Sequence, residues 1–150
     1  MFTQQWQEVP APFTLELLSH KSCKLFYSLA KMKTEHIYIV EEATFDKLVL
    51  DKSNEAPILL DISAEWCAPC RVLGPLLHKL ADAYDGTFLL ALVDADENMR
   101  IAGRHKVRGF PTVIAYSRGV EIDRFHSSQT EGFLRKFIDG VIKRHAEAAP

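Results

Sequence analysis

The feature that most constrains this chain is a pair of cysteines, Cys67 and Cys70, separated by two residues. A pair at this spacing fits three chemistries, namely a redox dithiol, half of a zinc site or half of a disulfide framework. Residues 57–63 before the pair form an apolar run of strand length. Residues 71–84 after it carry apolar side chains at helical spacing. The pair is therefore predicted to lie where a buried strand gives way to a helix.

This position favours a reactive thiol at Cys67. The first backbone N–H groups of a helix have no partner within it, and together with the helix dipole they stabilise a thiolate. Pro69 suits the first turn, where a missing N–H removes no helical hydrogen bond. Cys67 would attack a disulfide to form a mixed disulfide, which Cys70 would then attack to release the reduced product.

Composition and charge argue against several other classes of protein. The chain has 150 residues, a formal net charge of −2 and three cysteines. This charge offers no basis for binding nucleic acid or an anionic membrane, and no apolar run reaches the ~18 residues of a membrane span. Cys23 is the third cysteine, and no second ligand pair completes a zinc site, so a redox pair is favoured over a metal. Such sparse cysteines suit a reducing compartment, and the cytoplasm is expected.

The beginning of the chain is the least informative part. Residues 1–33 are predicted to be an extension that is irregular or holds a short helix. Charged residues interrupt every apolar stretch in it, which argues against a secretory signal. Met32 is an alternative start, because regular strand and helix patterns begin only after Lys33. A single domain is expected over residues 34–145, followed by a polar tail at 146–150.

From residue 34 onwards, strands and helices alternate and end in a hairpin and a helix. This order predicts an α/β sandwich with mixed strand directions, in which the hairpin at Ser117-Arg118-Gly119 adds an antiparallel edge. Thr44 and Thr130 are predicted to cap the first and last helices. The predicted strands are 37–40, 57–63, 87–93, 113–116 and 120–122, and the helices between and after them include Phe45 to Val49, 71–84, 97–105 and 130–142.

Two further features are candidates for the site. Asp61 lies six residues before Cys67 in an otherwise apolar strand. Burial would favour its neutral form and suit it to accept the proton of Cys70, directly or through water. An aspartate that only caps the strand or faces solvent is the alternative. Pro111 must lie at a sheet edge or at the start of a strand. Two interpretations remain, namely a cis peptide bond before Pro111 and an ordinary proline in a turn.

Taken together, these residues resemble the thioredoxin family over roughly residues 35–143. The resemblance implies a thioredoxin-like α/β sandwich, with a central mixed β-sheet flanked by helices on both faces. It also implies that Cys67 is exposed, that Cys70 is recessed and that Pro111 is cis and packs against the dithiol. The residues that carry the resemblance are Asp61, Ala64-Glu65-Trp66-Cys67-Ala68-Pro69-Cys70, Pro75, Gly109-Phe110-Pro111-Thr112 and Gly119.

The same resemblance implies a protein-disulfide reductase with Cys67 as nucleophile, Cys70 as resolving thiol and Asp61 as proton acceptor. Its substrates would be proteins that contain disulfides. Family members bind no cofactor or metal and are usually recharged by a flavin- and NADPH-dependent thioredoxin reductase. A monomer that binds neither nucleic acid nor membrane is expected. The substrate-binding residues would be Trp66, Ala68, Pro69, Gly109, Phe110 and Pro111.

The chain also departs from the family pattern. Ala68-Pro69 replaces Gly-Pro between the cysteines, Ser63 replaces an aromatic residue, and Ser127 replaces a glycine that borders the docking surface. Leu92 stands where a lysine often neighbours the aspartate, so Asp61 loses a charge partner. These departures keep open an alternative function as a binding or holdase module with secondary redox activity. An exported thiol oxidase would need a signal that the sequence does not show.

Overall fold

The structure is a computed structural model that describes residues 36–149. The predicted extension over residues 1–33, with Cys23 and Met32, lies outside these residues, and so does Pro150. Five strands form one sheet in the order β1-β3-β2-β4-β5. The strands are β1 (Ile37–Ile39), β2 (Ile58–Ser63), β3 (Leu89–Asp94), β4 (Thr112–Ser117) and β5 (Val120–His126).

Helical segments lie between the strands and after the last one. A π-helical segment (Asp46–Asp51) and a 3-10 turn (Lys52–Asn54) follow β1. Helices α1 (Ala68–Ala83), α2 (Met99–Arg104) and α3 (Glu131–Glu147) follow β2, β3 and β5. In the part of the chain that the structure describes, no helix is long and apolar enough to cross a membrane.

The sheet is mixed, as predicted. β1 and β2 both pair with β3 in parallel, whereas β4 runs antiparallel to β2 and to β5. β4 and β5 form the predicted hairpin, which turns at Arg118 and Gly119 with φ values of 54° and 78°. A two-residue type I′ turn requires positive φ at both central residues, and its twist matches that of the flanking strands.

The core has two layers, one on each face of the sheet, so the predicted sandwich is confirmed. Ile58, Leu60 and Ile62 of β2 pack in the layer beneath the π-helical segment and α2. Leu59 packs in the opposite layer, with buried residues of α1 and α3. Because successive strand residues point to opposite faces, Asp61 lies on the same face as Leu59. The carboxyl group of Asp61 therefore lies on the face of the central strand that packs against α1.

The first helix differs from the prediction. The Thr44 hydroxyl accepts the Glu41 N–H at 3.0 Å and donates to the Glu41 carbonyl at 3.2 Å. No side chain therefore caps the helical segment that follows, and its geometry is that of a π-helix. Threonine readily makes such local bonds, which compete with capping. Phe45 and Val49 are still buried on one face of the segment, as predicted.

The last helix confirms the predicted cap and extends beyond the predicted end. Thr130 Oγ1 accepts the Phe133 N–H at 3.3 Å, and the helix continues to Glu147. It therefore runs into the segment 146–150 that the sequence predicted to be a tail. The buried residues Leu134 and Ile138 fix α3 to the sheet.

Replacing Thr130 with alanine should lower the free energy of unfolding by about 1 kcal/mol, because a helical N–H loses its partner. Urea unfolding followed by circular dichroism would measure the loss. Thr130→Ser keeps the oxygen acceptor and should remain within a few tenths of the wild-type value. Equal losses in the two variants would contradict a capping role.

Candidate active site

The two cysteines lie at the junction between β2 and α1, as predicted. The junction is closed by a hydrogen bond from the Cys67 N–H to the Ala64 carbonyl at 3.1 Å. Cys67 is the N-cap of α1, with φ of −79° and ψ of 110°, and Pro69 lies in the first turn. The Cys70 N–H donates to Cys67 Sγ at 3.3 Å. The sulfur therefore occupies the place where a serine or aspartate oxygen usually caps a helix.

Cys67 and Cys70 form a disulfide, with their Cα atoms 5.3 Å apart. Both residues are buried, with exposed fractions of 4% for Cys67 and 9% for Cys70. The expectation that Cys67 is exposed is therefore wrong for this oxidised state, and Cys70, although buried, is not the more recessed of the two. The physical reason is that Cys67 Sγ is bonded to Cys70 and that Phe110 packs against their cluster with Ala64.

Asp61 is buried in apolar surroundings, so the alternative of a solvent-facing aspartate is wrong. Its exposed fraction is 4%, and its neighbours across the sheet are Leu92 of β3 and Val113 of β4. Burial raises the pKa of Asp61 from 3.8 to about 7. Among the described residues, Asp61 Oδ1 has no hydrogen-bond partner. A charge on this side chain would therefore be poorly stabilised near neutral pH.

The course of the chain brings Asp61 toward Cys70. Because β2 and β3 are parallel, the helix α1 that joins them must run back along the sheet. Leu59 packs in one layer with Leu73 and Leu77 of α1. Asp61 is two residues beyond Leu59 toward the start of α1, and Cys70 precedes Leu73 by almost one turn on the same helix face. Asp61 and Cys70 thus occupy successive positions in the interface between β2 and α1.

Two aromatic side chains border the dithiol. Trp66 is 65% exposed, and its Nε1–H donates to Asp96 Oδ2 at 2.9 Å. Its ring meets that of Phe110 edge to face, with centroids 5.9 Å apart. The Phe110–Pro111 bond is cis, as the resemblance implied.

A groove of about 420 Å³ continues from Phe110 away from Trp66. Its lining includes Ser127, which has a φ of 68° and donates its N–H to the Pro111 carbonyl at 3.0 Å. Ser127 therefore borders the cis-proline loop in a conformation that glycine adopts more readily. The other side chains that line the groove include Lys106, Arg108, Arg124 and His126.

Sequence reasoning missed Asp96, Lys106 and Arg108 as neighbours of the site. Asp96 follows β3, whose end lies beside the end of β2 because the two strands are parallel. That rule could have placed Asp96 near Trp66. The two cations precede Gly109 in the sequence, but only the folded loop brings them to one groove. Across residues 36–149, no three histidine, cysteine or acidic side chains converge in a way that could hold a metal ion.

A disulfide across the first turn of a helix, beside a cis-proline loop on a mixed sheet, defines a thiol–disulfide oxidoreductase. The family model for thioredoxin matches residues 36–140, which is well over half of the chain. The chain therefore belongs to the thioredoxin family, whose members are protein-disulfide reductases.

Individual relatives agree with this assignment. The thioredoxin of Chlorobaculum thiosulfatiphilum is 34% identical over 98 residues, which are 65% of this chain and 89% of that protein. The thioredoxin of Pseudomonas aeruginosa is 33% identical over 105 residues, which are 67% of this chain and 95% of that protein. The mitochondrial thioredoxin of Mus musculus is 37% identical over 90 residues, and the match spans 57% of this chain and 54% of that protein. The chain thus spans most of the two bacterial proteins and about half of the mouse protein.

The raised pKa of Asp61 predicts an unusual pH dependence of stability. The folded chain keeps a proton on Asp61 up to about pH 7, whereas an ordinary aspartate releases it near 3.8. Since folding then favours the protonated form, the free energy of unfolding should fall as pH rises through this range. The fall should be about 4 kcal/mol, from ~1.4 kcal/mol for each pH unit.

Asp61→Asn should remove this fall, so the variant should gain stability relative to wild type as pH rises from 4 to 8. Urea unfolding of the oxidised proteins at several pH values would measure the difference. The matched control is Asp51→Asn, which removes an exposed carboxyl group. Parallel curves for wild type and Asp61→Asn would contradict the prediction.

Proposed function

We propose that this protein reduces disulfides in protein substrates, with Cys67 as nucleophile, Cys70 as resolving thiol and Asp61 as proton acceptor. The observation that carries the proposal is the hydrogen bond from the Cys70 N–H to Cys67 Sγ at the start of α1. This N–H donor and the helix dipole both stabilise a thiolate at Cys67, compared with a cysteine that does not lie at the N-terminus of a helix.

The first step is attack by the Cys67 thiolate on one sulfur of the substrate disulfide. One S–S bond forms, the substrate S–S bond breaks, and the second substrate sulfur leaves as a thiolate that takes up a proton. The structure supports Cys67 for this step because its sulfur, unlike that of Cys70, accepts a hydrogen bond from a backbone N–H at the start of α1.

The second step is attack by Cys70 on the mixed disulfide. Cys70 must lose its proton, and Asp61 is the nearby group in the β2–α1 interface whose pKa, raised by burial to about 7, matches this task. The products are the Cys67–Cys70 disulfide and a substrate that has gained two electrons and two protons as thiols. Each released substrate thiolate takes its proton from solvent, and the proton on Asp61 returns to Cys70 when the pair is reduced again.

The substrate would dock on the surface formed by Trp66, Phe110 and their neighbours. Trp66 is a large exposed apolar side chain beside the dithiol. Ala68 and Pro69 are exposed at the start of α1. The backbone of Phe110 makes no hydrogen bond to another described residue, so its N–H and carbonyl are available to an extended substrate segment. Gly109 and Pro111 flank it on the same loop.

In the cell, this chemistry requires a source of electrons, and a thioredoxin reductase is the proposed donor. The protein would then carry electrons to protein disulfides and contribute to redox homeostasis in the cytoplasm. A monomer suffices, because both thiols and the proton acceptor belong to one chain. The mouse relative is named as mitochondrial, which makes an organelle the alternative location. Cell fractionation would distinguish the two, and recovery of this chain in an organelle would contradict the proposed cytoplasmic location.

The test is reduction of insulin disulfides by the full chain with dithiothreitol as electron source. Cys67→Ser should lose the activity, because no thiolate remains at the helix start. Cys70→Ser should accumulate a mixed disulfide at Cys67, detected by mass spectrometry. Cys23→Ser is the control for general loss of a thiol and should retain activity. Equal rates for wild type and Cys67→Ser would refute the proposal.

The equilibrium potential of the Cys67–Cys70 pair tests the direction of the reaction. We expect a value near ~−270 mV against a dithiothreitol or glutathione series, as for a reducing pair. Alkylation of the free thiols followed by mass spectrometry would measure it. A value between ~−180 and −120 mV would identify an oxidant or isomerase instead.

A further inference from the structure

The groove beside the cis-proline loop joins the active site through one side chain. Phe110 packs against the cluster of Ala64, Cys67 and Cys70, and it also lines the groove. A segment that lies in the groove would therefore contact the same aromatic ring as a disulfide at Cys67. The groove is positioned to hold residues that flank the substrate disulfide, and it is open to solvent, as an extended peptide requires.

The groove is basic, and two of its cations are available to a partner. Arg124 is already engaged, since its Nε and one terminal nitrogen donate to Glu121 at 2.5 and 2.6 Å. Lys106 and Arg108 are exposed and form no ion pair or hydrogen bond through their side chains with any described residue. Their charges therefore face the groove without a carboxylate to neutralise them.

Of the polar side chains that line the groove, His126 is held in a fixed position by the buried Thr112. Thr112 Oγ1 donates to the Gly109 carbonyl at 2.7 Å and lies 3.0 Å from His126 Nδ1. A hydroxyl has one proton, so His126 Nδ1–H must donate to Thr112 Oγ1. This bond fixes the imidazole ring of His126, which makes this part of the groove lining polar.

The residues around Trp66, on the other side of the Trp66–Phe110 pair from the groove, are negatively charged. Asp96 holds Trp66 through the indole N–H at 2.9 Å. Asp94, the last residue of β3, and Glu97 are exposed on either side of Asp96 in the sequence, and Glu65 precedes Trp66. A substrate segment that crosses the site thus meets carboxylates on the Trp66 side and cations on the Phe110 side.

From this charge separation we infer that the protein selects protein disulfides with acidic residues on the flank that enters the Lys106–Arg108 groove. The inference rests on the proposed function and names the substrate class of that same site. Opposite charges raise the rate of encounter and orient the segment, whereas the exchange chemistry at Cys67 is unchanged. The reaction remains the transfer of two electrons from the dithiol to the substrate disulfide, which yields two substrate thiols.

The experiment uses the prereduced full chain and short peptide disulfides in single turnover. The peptides carry a pair of glutamates or a pair of glutamines, placed either before or after the cysteine. Acid quenching, alkylation and mass spectrometry give the second-order rate constant for each peptide. At low ionic strength, one of the two glutamate placements should react about three- to tenfold faster than its glutamine counterpart, as expected for two exposed ion pairs.

Two double variants of equal charge separate the groove from the net charge. Lys106→Gln with Arg108→Gln should bring the ratio of the glutamate to the glutamine rate constants close to one, because the cations that would attract glutamate are gone. Lys136→Gln with Lys143→Gln alters exposed residues of α3 and should keep the preference. Salt at ~1 M, where the Debye length is about 3 Å, should also bring the ratio of the glutamate to the glutamine rate constants close to one.

The outcomes are distinct. Equal rates for glutamate and glutamine peptides in both placements, with a rate that Cys67→Ser abolishes, would overturn the charge inference and leave the proposed function intact. A preference that survives in the Lys106 and Arg108 double variant would also overturn it. No Cys67-dependent reduction of any peptide would overturn both.

Discussion

The hydrogen bond from the Cys70 N–H to Cys67 Sγ is the interaction on which the site depends. It makes the nucleophile the cap of α1, so one sulfur both completes the helix and receives the donor that stabilises its charge. β2 lies between β3 and β4 in the sheet, and α1 begins at Ala68 shortly after the strand ends at Ser63. The central strand thus determines where the Cys67 sulfur lies, and the N-terminus of α1 stabilises its thiolate form.

Asp61 shows that this arrangement has a cost in stability. The side chain lies in a layer of apolar residues, with Leu92 and Val113 beside it and no hydrogen-bond partner for Oδ1 in the described part of the chain. An apolar residue of similar size would be more favourable at this position near neutral pH. A buried carboxyl group is nevertheless suited to accept a proton inside the protein, where water is largely excluded. The proposed role of Asp61 as proton acceptor would account for keeping a carboxyl group at a position where it lowers stability.

Much of the fold and the core of the site could be predicted from the sequence because the relevant signals are local. The apolar run of β2, the periodicity of α1 and α3, the Thr130 cap and the Arg118–Gly119 turn each depend on neighbouring residues. The failures depend on interactions that sequence spacing does not show. Thr44 binds Glu41 instead of capping a helix, and Cys67 is buried because its disulfide and Phe110 cover it. The groove combines residues 106–111 with 124–127, which only the pairing of β4 and β5 brings together.

Selectivity in this protein must come from the docking surface, because dithiol exchange at Cys67 is the same reaction for every accessible disulfide. The aromatic pair of Trp66 and Phe110 offers an apolar surface that carries no charge to distinguish one segment from another. Charge is the property that differs across the site, since Asp96 lies on one side and Lys106 and Arg108 on the other. A net charge of −2 conceals this separation. Because exposed charges act over about 8 Å at physiological salt, only residues close to the substrate disulfide would be distinguished.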